Sequence, residues 1–398
     1  MKSATWSNTT SAFNNTMSTS SRSQTISDAD IRAVTETLRS DYLTTGPQVA
    51  AFERAFADFT GMPEAVAVCN GTAALHAAMY AVGIQPGDEV IVPAMTFAAT
   101  ANCVVYQGGT PVFADVDVES LLLDPDQVER LITPRCKAII AVDYAGQPCD
   151  YDSLNQIAQN HGLALVADAC HAVGGSYKGK PVGSLAHLST FSFHPVKNMT
   201  TGEGGMVTSD SRELARKMRL FRNHGIDTDH HQREARNSWT YELIDLGYNY
   251  RMTDFQCALG LAQLRRLPAW LERRREIARA YDTAFEENDL VTPVASRTDV
   301  AHAYHLYVVQ LNLARLQVER AAVFMQLREK GIRVNVHYLP VHLHPFYQQR
   351  FRTRPGLCPR AEAAYERILS LPIHPNMSIQ DANEIATTLL QILNSFLP

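Results

Sequence analysis

The sequence predicts an α/β protein with a large, mostly parallel sheet, helices on both sheet faces and a smaller C-terminal α+β domain. Three observations predict it. Short apolar runs alternate with helical patterns from residue 47 to residue 169. Those runs are apolar throughout rather than every second residue, as strands covered on both faces must be. Beyond a long basic stretch the chain changes character, with "HLYVVQL" and "IRVNVHYLP" reading as strands and helices between them. At 398 residues the chain exceeds what one core normally covers. The expected division is an arm over 1–25, a large domain over 26–270 and a small domain over 271–398.

The elements follow in chain order. The arm, "MKSATWSNTTSAFNNTMSTSSRSQT", is rich in Ser, Thr and Asn and lacks the basic start and apolar centre of a signal peptide, so it is expected to be disordered. "SDADIRAVTETLRS" opens with a capping box, Ser27 with Asp30, and continues at helical spacing. "PQVAAFERAFADFTG" is a second helix with Pro47 in its first turn and Gly61 at its end. Strands are then expected at "AVAVC", "DEVIVPA", "TPVFADV", "CKAIIAVDY" and "LALVADA". Helices are expected at "TAALHAAMYAVG", "ATANCVVYQGG", "DPDQVERLI" and "YDSLNQIAQNHG". "LSTFSF" reads as a further buried strand. A basic helix with Pro268 inside it is expected from residue 261, as a connector with a solvated face.

Bulk composition narrows the function classes. The net charge is −5 with no strong basic block, which argues against a nucleic-acid partner. No apolar run approaches the ~20 residues of a membrane helix. The seven cysteines are scattered, with no C-x-x-C pair, which points to a reducing, cytoplasmic setting and away from zinc. His230-His231 and His342/His344 are the tight histidine groups, and neither has carboxylates at ligand spacing, so no metal is expected.

Three constellations could carry chemistry. In "CNGTAALHAAMYA" a strand runs through Asn70-Gly71-Thr72-Ala73 into a helix, whose free N–H groups and partial positive charge suit a phosphate. In "LALVADACHAVG" Asp168 ends an apolar strand, at the edge where open parallel sheets bind ligands, and His171 lies one helical turn on. In "TFSFHPVKNMTTGEGGMVTSD" a buried strand would carry Lys197 into the interior, with Ser192 just before it. Burial lowers a lysine's pKa, and a neutral amine can form an imine with an aldehyde. Each constellation has an ordinary structural reading: a strand-to-helix turn, a helix cap, an exposed turn lysine. Together, in this order, they are the set that holds pyridoxal phosphate: helix start for the phosphate, lysine for the aldehyde, aspartate for the ring nitrogen. Phe97 in "PAMTFAAT" is placed to cover the ring, or else packs in the core.

These residues resemble the DegT-type nucleotide-sugar aminotransferases, which share the fold of aspartate aminotransferase, fold type I. The likeness runs from about Ile26 to the C-terminus and rests on "FSFHPVKNMTTGEGG" and "GYNYRMTDFQCALG". "VDYAGQPCD", "DACHAVGGSY", "VHYLPVHLHPFY" and "LSLPIH" make it closest to the 4-aminotransferase of the pseudaminic acid pathway. The resemblance implies that Lys197 carries the imine, Asp168 pairs with the pyridine nitrogen, and His171 lies near the ring's oxygen side. Thr72, Ala73 and Ser192 would hold the phosphate and Phe97 would stack on the ring. Asn249 would reach the phosphate of a partner's cofactor, which implies a homodimer. Tyr42, Leu43 and Thr44, with His337 and Tyr338, would line the sugar-nucleotide pocket. Ser21 stands near where many relatives carry a tyrosine. The implied reaction moves an amino group, with L-glutamate as donor, to C4 of a UDP-linked 4-keto-6-deoxy-N-acetylhexosamine. A dTDP-linked or 3-keto sugar, and a non-catalytic regulator on the same fold, are the alternatives. Sugar dehydratases that resemble this family carry histidine in place of the lysine, so Lys197 favours transfer. A nicotinamide enzyme would need a G-x-G-x-x-G after the first strand, where "CNGTAA" stands.

Overall fold

A computed structural model of the chain describes residues 25–228, 233 and 237–398. The arm apart from Thr25, the position of Ser21 and the His230-His231 pair lie outside the described residues. The strands, in chain order, are β1 (Glu64–Val68), β2 (Glu89–Pro93), β3 (Thr110–Ala114), β4 (Cys136–Val142) and β5 (Ala164–Asp168). They continue with β6 (Ser176–Tyr177), β7 (Lys180–Pro181), β8 (Leu188–Ser192), β9 (Gly205–Ser209), β10 (Val291–Pro293), β11 (Val300–Ala301), β12 (Tyr307–Leu311) and β13 (Ile368–Leu371).

Seven of them make the main sheet in the order β1-β9-β8-β5-β4-β2-β3. The run β8-β5-β4-β2-β3 is parallel. Only β9 is reversed, pairing antiparallel with both β1 and β8. Because the parallel strands point the same way, their last residues gather at one edge. There Val142 of β4 lies beside Asp168 of β5, which lies beside Thr190 of β8. The interior positions of these strands are fully buried, which explains their apolar runs.

The helices start where the sequence marks them. Ser27 and Asp30 form a reciprocal capping box at the first, Asp28–Leu38. Pro47 opens the second, Pro47–Thr60, and Gly61 closes it at φ 69°. Its Phe56 meets Phe191 edge-on at 4.9 Å between ring centroids, and Phe52 meets Phe193 at 5.4 Å. This aromatic wedge anchors β8 just before Lys197.

Two differences from the sequence reading concern where a helix begins and whether a strand forms. The basic helix begins at Asp254 rather than near 261, because Thr253 and Gln256 form a capping box within "GYNYRMTDFQCALG". It runs unbroken to Phe285 past Pro268, which is exposed and forfeits one backbone bond at the surface. Nor is every basic residue on it solvated. Arg274 is buried and donates to the carbonyls of Tyr304 (3.0 Å) and Ile373 (2.9 Å), tying the helix to two C-terminal segments. Leu264, Leu267 and Leu271 of this helix join the buried cluster of the main sheet. Ile277, Ala278, Tyr281 and Phe285 join a second cluster built on β10, β12 and β13.

The second difference is "IRVNVHYLP", which forms no strand. Only Asn335 pairs, with Ser370 of β13. The period-two burial is present, with Ile332 and Val334 buried and Arg333 and Asn335 exposed. From His337 onward, side-chain bonds replace the ladder, and Pro340 has no N–H to offer. Among the described residues no helix is long and apolar enough to cross a membrane.

Candidate active site

The site is assembled where β1, β4, β5 and β8 end. Asp168 is the last residue of β5 and is 7% exposed. Its carboxylate accepts the Thr100 hydroxyl at 2.7 Å and the Cys170 N–H at 3.3 Å, and Thr100 is in turn bonded to Thr96 at 2.8 Å. These contacts fix the carboxylate's orientation.

After β8 the chain loops from Phe193 to Gly204 and returns as β9. Phe193 donates its N–H to Gly204 (2.8 Å), and both the N–H and the hydroxyl groups of the "TTGEGG" turn fold back on the loop: Thr201 N–H and the Thr200 hydroxyl reach the Phe193 carbonyl, each at 3.0 Å. Asn198 bonds the carbonyl of Ala303 at 3.0 Å. The turn is thus pinned on both sides of Lys197, which is half-buried as a residue. Removal of its ammonium group from water lowers its pKa below the ordinary lysine value, with Cys170 and Asp168 acting in the opposite sense. A lysine held this way has a larger neutral, nucleophilic fraction than one in solvent.

Helix Gly71–Val82 begins directly after β1. The Ala73 N–H is taken by the Asn70 side chain at 2.8 Å, so the Gly71 and Thr72 N–H groups are the open donors of the first turn. A Cβ on Gly71 would stand 2.7 Å from the Ser192 Cβ, and one on Gly205 2.5 Å from the Asn70 carbonyl oxygen. Glycine at both places lets three backbones converge, leaving a cradle of N–H groups and the Thr72 and Ser192 hydroxyls. Of the glycines after Lys197, Gly205 is needed for close approach to the helix start, whereas Gly202 turns the chain at φ 80°.

His171 is 6% exposed, and its Nε2 meets the Tyr338 hydroxyl at 3.2 Å. Its Nδ1 is buried with no hydrogen-bond partner among the described residues. Burial, with Lys197 and His337 adding to it, holds His171 neutral, well below the usual histidine range. His305 lies against it at 4.4 Å between ring centroids. Tyr338 also places its ring 6.1 Å from that of Phe97. Phe97 is 60% exposed, a ring standing open rather than packed in the core. His337 bonds Ser370 at 2.8 Å, its carbonyl accepts the Tyr144 hydroxyl, and burial lowers its pKa to about 4.

The structure therefore brings together Lys197, Asp168, His171, Tyr338 and Phe97, with Thr72 and Ser192 around the helix start. Other expected residues are placed differently. Tyr42, Leu43 and Thr44 are exposed, with Thr44 bridging Thr253 and Tyr42 lining a cavity of about 740 Å³ with Arg216, Arg222 and Arg251. Asn249 is exposed and its backbone bridges Asn223. Sequence reasoning missed Thr100, Asn198, His305 and Asp143. His342, from one of the tight histidine groups, bonds Glu362 at 2.9 Å, and the described residues contain no cluster of three metal-ligating side chains.

Comparison with known proteins agrees with this geometry. Residues 24–390 match the model of the DegT/DnrJ/EryC1/StrS aminotransferase family. The chain belongs to that family. It is 44% identical over 371 residues to the spore coat polysaccharide biosynthesis protein SpsC of Bacillus subtilis, covering 92% of this chain and 95% of SpsC. The putative sugar aminotransferase Spr1654 of Streptococcus pneumoniae, in its PMP form, superposes with a TM-score of 0.89 at 34% identity, over 94% of this chain and 98% of that one. Spr1654 is also known in a PLP form. PseC of Helicobacter pylori, an aminotransferase involved in pseudoaminic acid biosynthesis, superposes with a TM-score of 0.88 at 34% identity, over 95% and 99% of the two chains. The aminotransferase is a pyridoxal-phosphate enzyme. Its residues fit that cofactor: the glycine-lined cradle suits a phosphate, and the buried His171 Nδ1 has no partner among the described residues.

Proposed function

We propose that this aminotransferase moves an amino group, with L-glutamate as donor, to C4 of a UDP-linked 4-keto-6-deoxy-N-acetylhexosamine, in the cytoplasm. The observation that carries the chemistry is the convergence of Lys197, Asp168 and the Gly71–Ser192 cradle at one sheet edge. The likeness to PseC supports the sugar. The higher identity to SpsC favours a second reading in which the acceptor is another nucleotide-linked keto sugar.

Bound pyridoxal phosphate supplies an aldehyde for the amino group and a ring that stores electrons. Everything else is done by the chain. The Gly71 and Thr72 N–H groups with the Thr72 and Ser192 hydroxyls bind the phosphate. Asp168, oriented by Thr100 and Cys170, holds a proton on the ring nitrogen. Lys197 Nζ, its pKa lowered by burial, would take a proton from the amino-bearing substrate carbon and deliver it to the former aldehyde carbon of the bound group, as general base and then acid. His171 offers Nδ1 to the ring's oxygen side. Phe97 and Tyr338 wall the site against water. His337, Tyr338 and the segment Tyr42–Thr44 contact the sugar nucleotide.

We also read the enzyme as a homodimer in which Asn249 completes a partner's phosphate site. Trp239, Tyr241, Leu243 and Leu246 are each more than half exposed, an apolar stretch that suits a second copy. The test is spectroscopic and chemical. Borohydride should fix the cofactor on the peptide carrying Lys197 and remove the yellow absorbance. In a separate, unreduced sample converted to the pyridoxamine form, UDP-linked 4-keto sugar should restore the yellow absorbance, and neither a dTDP-linked nor a 3-keto analogue should. Labelling elsewhere sinks the assignment of Lys197, and restoration by the dTDP analogue alone moves the reading to the second sugar.

A further inference from the structure

One buried carboxyl at the site is used by none of these steps. Asp143 follows the last residue of β4 and is 0% exposed. Its own N–H donates to the Asp168 carbonyl at 3.1 Å, so the two aspartates stand on neighbouring strands at the same edge. Oδ1 accepts the Cys149 N–H at 3.0 Å and the Tyr151 hydroxyl at 2.9 Å. Oδ2 is buried with no donor among the described residues.

The groups facing Asp143 are one carboxylate and two uncharged donors. Asp168 approaches from β5, and Cys149 and Tyr151 from the segment entering helix Tyr151–His161; beyond Cys149 stand Asp150 and Arg297, which pair with each other. Lys197 is near enough to Asp168 for that carboxylate to act on its titration, and Asp143 is not among the groups that do so. Among the described residues no cation pairs with Asp143 itself. A charged oxygen with no donor and no counter-ion is costly in a dry interior, and a carboxyl so placed takes a proton instead.

We propose that Asp143 is a positioning residue that carries a proton on Oδ2, leaving Asp168 as the one anion at this edge to face the cofactor's ring nitrogen. As a neutral acid it adds no repulsion to Asp168. When it loses its proton, a second negative charge arises in the same low-dielectric region and tightens the hold of the ring nitrogen on its own proton. Burial is the main cause of its altered titration, and the midpoint lies at about 7. The role of Asp168 rests on the reading of the site above, but the proton on Asp143 is measured directly and stands or falls without it.

The test is infrared titration of the full-length holoenzyme from about pH 5 to about pH 9. A carboxylic-acid carbonyl band should be present at the acid end, fade with a midpoint near 7, and be missing in Asp143→Asn. Asparagine keeps an acceptor for Cys149 and Tyr151, so a purely structural role would survive it. The absorbance of the bound cofactor should show an inflection at the same pH in the wild type and none in the variant. Should Asp143→Asn fold poorly, Tyr151→Phe removes one donor to the anion and should move both midpoints to higher pH. Absence of the acid band at the acid end, or an unchanged midpoint in Tyr151→Phe, overturns the proposal. A cofactor inflection that persists in Asp143→Asn overturns the coupling to Asp168.

Discussion

The two ends of the parallel sheet treat charge in opposite ways. At the N-terminal end, Glu89 begins β2 and is buried. Burial would raise its pKa, but the Thr133 hydroxyl at 2.5 Å, both nitrogens of a forked Arg135 contact and the Cys136 thiol outweigh it, leaving Glu89 below the usual glutamate value. At the C-terminal end, Asp143 is raised, Lys197 is lowered and His171 is lowered, each first by burial. One end is saturated with partners and the other is left short of them. Groups left unpaired are the ones that can meet a ligand or move a proton. The contrast separates carboxylates that hold the sheet together from those that work.

The largest effect expected from breaking the working end is that of Lys197→Ala. Turnover should fall at least about 1000-fold, the order carried by a positioned acid–base group, while thermal unfolding stays within about 1 kcal/mol of wild type. Steady-state transfer together with calorimetry checks both halves. Near-normal turnover would mean that the proton moves by another route.

Next in size is the pH dependence of stability set by Asp143. An unfolded aspartate titrates near 3.9, and the folded one at about 7. The folded pKa is the higher, so the stability from the protonated form is complete below about pH 4 and is lost as pH rises through about 7. The total drift is on the order of 4 kcal/mol. Urea unfolding at several pH values should show it in the wild type and not in Asp143→Asn. Parallel drift in both proteins would assign it to other groups.

Much of the working end is legible in the chain, and the reason the rest is not is specific. "LVADAC" and "AIIAVDYAG" both end a buried strand with aspartate. The first stood out because Lys197 follows with glycines around it. The state of Asp143 depends on a donor that is missing in three dimensions, and no local pattern encodes a missing neighbour. Thr100 had a signal in its i,i+4 spacing from Thr96, but two threonines in an apolar helix start are ordinary. The alternation Ile332, Val334, Val336 predicts a strand, and the burial follows it. The free edge of β13 lies beside Asn335, but the ladder stops after one bridge because side-chain bonds replace it from His337 onward and Pro340 has no N–H, which only the packing decides. The onset at Asp254 was written in Thr253 and Gln256 and masked by a stretch singled out for its likeness to relatives.

A smaller effect is expected at the satisfied end. Glu89→Gln removes the charge but keeps the shape. Arg135 is largely exposed and its share is screened, so the loss comes mainly through Thr133 and should be about 1–2 kcal/mol at neutral pH. Here the folded pKa is the lower one. The contribution is therefore present above the unfolded glutamate value of about 4.3 and is lost as pH falls through the folded value. Wild type and Glu89→Gln should converge in stability on acidification, opposite in sense to the Asp143 pair. If they stay apart at low pH, Glu89 acts by packing and the contrast between the two ends is weaker than drawn. Transfer activity should be unaffected within about twofold, because 1.4 kcal/mol of barrier is needed for a factor of ten and no reacting group touches Glu89.

The smallest expected change is Tyr338→Phe, and it sharpens the comparison most finely because it removes one oxygen from the working end. The ring that faces Phe97 at 6.1 Å is retained, while the hydroxyl 3.2 Å from His171 Nε2 is lost. A neutral hydrogen bond of this kind is worth about 1 kcal/mol. Stability should drop by no more than that, the cofactor should stay bound, and turnover should fall by less than about tenfold. The informative readout is the nitrogen NMR of His171. With Tyr338 present, Nε2 has a fixed partner and Nδ1 is free for the ring's oxygen side. Without it, the two nitrogens become alternatives and their resonances should move toward tautomeric averaging. Unchanged resonances would show that packing against His305 alone holds the imidazole, and that the unpaired Nδ1 does not depend on Tyr338 for its state.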